Sequence, residues 1–154
     1  MKKMMSLGLG ILALTISMSS CKKQTTFEKG KVVCNVDGKS YTSDFSANAS
    51  YIGGILTIGS QGKVGSEILP TQIMFTFEEG TEGSVGNSEN MVFSGSKGTD
   101  AFASHWDNEL VGSVSGTIET INESECKGTF EATVKTQSGS KTFKITEGKF
   151  WLDI

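Results

Sequence analysis

Few residues in this chain could do chemistry, and their spacing limits what that chemistry would be. There are three cysteines and one histidine. Cys34 and Cys126 each lie in phase with apolar neighbours, Val36 for the first and Phe130 and Ala132 for the second. In an oxidising compartment they could pair, closing a loop of about 90 residues worth about 4–5 kcal/mol. The favoured reading is two small buried hydrophobes on separate strands. A zinc site needs more ligands at a tighter spacing. His105 stands two residues before Asp107, which invites a triad, but no G-x-S-x-G elbow is present. Gly112-Ser113-Val114-Ser115-Gly116 places Ser113 and Ser115 along a strand pattern, not on a strand-to-helix turn. No nucleophile is paired with a base, so the chain reads as a non-enzyme, with His105 a strand-end imidazole beside Trp106. The acidic residues form three groups: Glu78, Glu79 and Glu82 with Glu89; Asp107 and Glu109; Glu119, Glu123 and Glu125. Paired carboxylates can hydrolyse glycosides and clustered ones can hold calcium. Without a D-x-D-x-D-G spacing, solvated loops account for all three, and neither metal nor cofactor is expected. An exposed Trp is a common sugar platform. Trp151, however, alternates within Phe150-Trp151-Leu152, which places one of its faces in the core.

The third cysteine, Cys21, closes the opening segment MKKMMSLGLGILALTISMSSC. Lys2 and Lys3 form a basic start, and Met4 to Met18 an apolar run of 15 residues. That is short of the roughly 20 needed to span a bilayer, so residues 1–20 read as a secretory signal. Met18-Ser19-Ser20-Cys21 resembles a bacterial lipobox, with Met in place of the usual Leu. The resemblance implies that Cys21 becomes the mature N-terminus and carries the lipid, with two or more acyl chains giving stable anchoring. Residues 21–30 then form the lipidated cysteine and a polar, flexible tether. The expected location is the cell envelope, lipid-anchored at the outer membrane. Acidic runs after the cysteine direct some such lipoproteins to the cell surface; this tether begins with Lys22 and Lys23, so the periplasmic and surface faces both stay open.

Composition narrows the classes further. The 154 residues make one domain, residues 31–154, and all 14 basic residues are Lys. Without its first 20 residues the chain carries 12 Lys against 17 acidic groups. An acidic chain without a guanidinium is a poor reader of nucleic acid. From Lys31 on, no helical period is sustained. Short β-branched and aromatic runs alternate between turn residues instead: Lys31–Val36, Asp37-Gly38, Lys39–Tyr41, Phe45–Tyr51, Gly53-Gly54, Ile55–Ser60. Gln72–Phe77 puts Ile73, Phe75 and Phe77 on one face and Met74 on the other; Ser113–Ile121 and Cys126–Val134 alternate likewise. A polar, Gly-rich connection separates Glu78 from Asn90. The pattern predicts an all-β, antiparallel fold of about eight to ten strands, either a two-sheet sandwich or a flattened meander barrel.

Four short runs carry a resemblance: Val36-Asp37-Gly38-Lys39, Gly54-Ile55-Leu56-Thr57-Ile58, Gly128-Thr129-Phe130 and Ile145-Thr146-Glu147-Gly148-Lys149-Phe150. Together they resemble a functionally uncharacterised group of Bacteroidota all-β lipoproteins. The resemblance implies an all-β fold and an envelope location, and carries over no catalytic residue. Two functions follow as expectations. One is a binding or structural module that meets a protein or glycan partner through loops such as Glu78 to Asn90. The other is a calycin-like barrel carrying a small apolar ligand in a cavity lined by Phe75, Phe77 and Phe130.

Overall fold

The computed structural model describes residues 27–154. The secretory signal, Cys21 and most of the tether lie outside the described residues. The described residues form twelve strands and no helix. These are β1 (Lys31–Val36), β2 (Lys39–Ile52), β3 (Ile55–Val64), β4 (Thr71–Phe77), β5 (Val85–Gly86) and β6 (Met91–Lys97). They are followed by β7 (Asp100–Ala103), β8 (His105–Trp106), β9 (Glu109–Leu110), β10 (Ser113–Ile121), β11 (Glu125–Thr136) and β12 (Thr142–Asp153). Eight of them close an antiparallel barrel in the order β12-β1-β2-β3-β4-β6-β7-β11, with β11 pairing back to β12. The fold is therefore the barrel and not the sandwich; both use the same alternation. β10 lies along β11 from Cys126 to Thr133, beside the short β7 contact at Lys135 and Thr136, and carries β5 on its other side. β8 and β9 form a separate two-stranded hairpin.

Turn chemistry sets the first register. Asp37 and Gly38 both adopt positive φ, 49° and 77°, as a two-residue hairpin turn requires. Asp37 Oδ1 then accepts the Lys144 backbone N–H at 2.8 Å, tying the β1–β2 turn to β12. The strand expected in two pieces, Lys39–Tyr41 and Phe45–Tyr51, is one strand, β2, broken in register between Thr42 and Ser46. That irregularity turns Phe45 outward, where Lys63 lies 5.5 Å from its ring centre, while Ala47 and Ala49 keep packing on the core.

The interior is filled. Phe75 sits at its centre, with ring centroids 4.4 Å from Phe130, 5.5 Å from Phe150 and 6.0 Å from Phe93. Phe77 completes the group at 6.1 Å, and every one of these rings is buried. The rings fit because facing strands present bare backbone. A Cβ on Gly128 would lie 2.6 Å from the Phe150 ring, and one on Gly148 would lie 2.7 Å from Phe130. β11 and β12 thus interlock reciprocally, since Gly128 opposes Phe150 and Phe130 opposes Gly148 in register. Burying each ring contributes roughly 1.5–3 kcal/mol, so this aromatic column holds much of the barrel's stability.

Candidate functional site

A fold whose centre is packed must present any binding site on its outside. The outer faces of β2, β1, β12, β11 and β10 form one continuous wall, and a groove of about 960 Å³ runs across it. It is lined by outward side chains of these strands, among them Asn35, Asp44, Ser115, Thr129, Glu131 and Glu147. Val85, 65 % exposed, contributes from β5. At one end, across Phe27 and Lys149, the groove passes into a smaller depression of about 280 Å³ beside Trp151, Lys127 and Glu119.

Bulges shape this wall. Register shifts occur in the β1–β12, β11–β12, β10–β11 and β2–β3 pairings, while β3–β4, β4–β6 and β6–β7 run without one. The β1–β12 and β11–β12 shifts are one bulge in β12 met from both sides. It contains Glu147, which adopts a φ of 55°. The β10 bulge contains Glu119, and the β2 irregularity contains Asp44. Each irregularity therefore holds one carboxylate on the outer face, two in the groove and one in the depression. Glu147 is oriented by Asn35, whose Nδ2 donates to Oε2 at 2.9 Å. Bulges bend a strand and re-aim its side chains, and they recur beside binding and active sites.

Trp151 belongs to this wall. Phe150 and Leu152 point into the core, as the alternation requires, so Trp151 points out and is half-buried on the surface. This corrects the expectation that it packs in the core. Its indole Nε1 donates to Glu125 Oε2 at 3.1 Å, and Lys127 Nζ lies 5.9 Å from its ring centre. Glu125 also accepts an ion pair from Lys29 at 2.8 Å, and the lysine and the indole hold its carboxyl below the usual range. Lys29 reaches Asp153 as well, at 2.9 Å, and the Gly30 N–H donates to the Trp151 carbonyl. The tether's last residues are thus fastened to the barrel, not loose, and Phe27 lies on the groove.

The other sequence candidates sit elsewhere. Among the described residues Cys34 and Cys126 are free, buried thiols. They cannot pair: both strands flank β12, where Cys126 opposes Leu152 while Cys34 lies near Gly148. Four residues of strand put them roughly 13 Å apart along the barrel alone, beyond a disulfide's reach. Burial pushes the Cys34 thiol up to about 12 and the Cys126 thiol to about 11. His105 bonds Ser104, its Nδ1 lying 2.9 Å from the hydroxyl, while Asp107 occupies the β8–β9 turn. Sequence reasoning missed this Ser–His pair. Ser104 is 0 % exposed and its Oγ accepts the Phe93 N–H at 3.0 Å, while its carbonyl takes the Val111 and Gly112 N–H groups. It is a strut across the seam between β6 and β10. Ser113 and Ser115 lie along β10 as expected.

Trp106 donates its Nε1 to the Lys135 carbonyl at 2.9 Å. The Glu78–Asn90 connection folds back onto the barrel: the Gly80 N–H reaches the Gly54 carbonyl, and Gly83 and Ser84 exchange hydrogen bonds with Ile118. Among the described residues no three His, Cys, Asp or Glu side chains gather as a metal site. No protein-family model matches the chain, and no curated protein or solved structure matches it.

Proposed function

We propose that this chain is a lipid-anchored lipoprotein of the cell envelope, outer-membrane-bound through Cys21, whose barrel is a non-enzymatic binding module. The anchor rests on the lipobox and on the resemblance to Bacteroidota lipoproteins. The observation that carries the binding reading is the groove: three strand irregularities fall in one wall and none in the β3–β4–β6 wall, placing Asp44 and Glu147 on the groove and Glu119 beside the fixed indole of Trp151 in the adjoining depression. The carrier alternative draws less support, because Phe75, Phe77 and Phe130 pack on one another and on Phe150 where its ligand would lie.

Two experiments test this. Cys21→Ala should move the chain from the membrane to the soluble fraction; retention at the membrane refutes the anchor. A photo-crosslinking residue at Thr129, on the groove, should capture an adduct in growing cells. The same residue at Met74, 50 % exposed on the β3–β4–β6 wall, should not. Equal capture, or none at Thr129, removes the groove as the binding face.

A further inference from the structure

Resting on the groove as the binding face, we propose that its ligand is a glycan chain, uncharged or bearing amino groups, with Trp151 as the stacking platform. The lining decides between ligand classes. The groove wall is the outer face of strands whose backbone N–H and C=O groups are spent in the ladder. An extended peptide gains its affinity from an unpaired strand edge, and from β2 through β1 and β12 to β11 this wall offers none, the sheet's edge lying beyond at β10 and β5. Recognition must therefore come from side chains. Those of Ser115, Thr117 and Thr129 both donate and accept, and the carboxylates of Asp44, Glu131 and Glu147 accept only. Between these polar groups Phe27, Val33 and the exposed Val85 leave apolar ground, and the mixture matches a ligand that presents both hydroxyl groups and C–H faces.

Charge sets the subclass. Glu28, Asp44, Glu131 and Glu147 face the groove against Lys31 and Lys149, an excess of carboxylates that repels acidic sugars and phosphates. The volume of about 960 Å³ lies at the upper end of the ligand-site range, room for several sugar rings. The adjoining depression supplies the apolar half of sugar recognition, an indole face for pyranose C–H groups. Its orientation is set in advance by Glu125 and Lys127, which reduces the ordering cost of binding. Glu147 has one carboxylate oxygen bonded to Asn35, which aims the group at the ligand.

The test uses the full chain in mild detergent with Trp106→Phe, which leaves Trp151 as the sole indole. The probes are cellohexaose, a chitosan hexamer and hexagalacturonate. The neutral and amino hexamers should shift Trp151 emission with a Kd below about 1 mM, and hexagalacturonate should bind at least about tenfold more weakly. Calorimetry on the chain with both indoles should show Trp151→Ala losing about tenfold in affinity and Glu147→Gln several-fold, with thermal midpoints held. Silence from all three probes, or full affinity in Trp151→Ala, overturns the glycan assignment. The Thr129 crosslink then separates the two failures: a protein adduct there leaves the binding face standing with a different ligand, and no adduct removes the face itself.

Discussion

Truncating Phe130 to Ala tests whether the barrel is solid. Its ring is 1 % exposed, lies 4.4 Å from Phe75 and 6.0 Å from Phe93, and covers the bare backbone of Gly148. Large-to-small changes at buried phenylalanines cost about 3–5 kcal/mol, the spread reflecting how far the site can collapse. Collapse is limited here. Gly148 has no side chain to move in, and Phe75 is held by Phe77, Phe93 and Phe150 on its other sides. A loss of about 4 kcal/mol is expected, a large share of the 5–15 kcal/mol typical of a domain. For a barrel of this size that lowers the melting temperature by roughly 15 °C. Urea unfolding followed by far-ultraviolet circular dichroism should show a lower midpoint with the slope unchanged. Phe130→Leu, losing roughly 1–2 kcal/mol, keeps the test readable if the alanine variant does not fold. The dry cavity should also bind benzene, raising the melting temperature of Phe130→Ala but not of the parent. A cost below about 1.5 kcal/mol for Phe130→Ala would refute the packing argument, because it is what a ring on the wall of a fluid or ligand-filled lumen would give.

Two further changes probe buried polar groups. Thr71 is 0 % exposed and its Oγ1 has no hydrogen-bond partner among the described residues, so Thr71→Val should stabilise by about 1 kcal/mol in the same assay, and destabilisation would mean the hydroxyl is satisfied. The Cys34 thiol, raised by burial from 9.0 to about 12, should resist alkylation at pH 8 until the chain unfolds. Above pH 9 the unfolded chain releases that proton while the folded one keeps it, so stability is complete below pH 9 and falls as pH rises, by up to about 1.4 kcal/mol per unit. Between pH 8 and 10.5 the parent should lose about 2 kcal/mol more than Cys34→Ala; parallel curves for the two would show that the thiol is not buried.

Alternation made most of the interior legible. Val114, Gly116 and Ile118, and Cys126 through Val134 at every second residue, face inward as their spacing demands. The four runs that carried the family resemblance turn out to be fold chemistry. Asp37-Gly38 makes a hairpin, Leu56 and Ile58 are core, and Gly128, Phe130, Gly148 and Phe150 form the β11–β12 interlock. Barrel closure was not legible, because it depends on β11 pairing back to β12 and leaves no local mark. That same hidden topology separates Cys34 from Cys126. Trp151 was misplaced although its neighbours settle the matter: with Phe150 and Leu152 inward, strict alternation puts it outside. The bulges did leave a trace. Ile145 and Gly148 both face inward although three residues apart, a break in period two that marks the extra residue Glu147.

That extra residue links stability to function. An L-residue at a φ of 55° costs about 1–2 kcal/mol relative to an ordinary strand conformation, and glycine would occupy it without that steric cost. The chain uses glycine freely, at 19 positions, including Gly148 next door. Yet the strained position holds a glutamate, half satisfied by Asn35 and half open to the groove. Nothing in the packing needs that carboxylate, since the core beneath it is closed by Phe130 over Gly148. A strained residue that contributes nothing to the interior is what the proposed binding role would call for. The division of labour is physical: the rings lock the barrel from within, which leaves the outer wall free to bend at three irregularities, and under the proposed reading the strain at Glu147 serves to aim its carboxylate at the ligand.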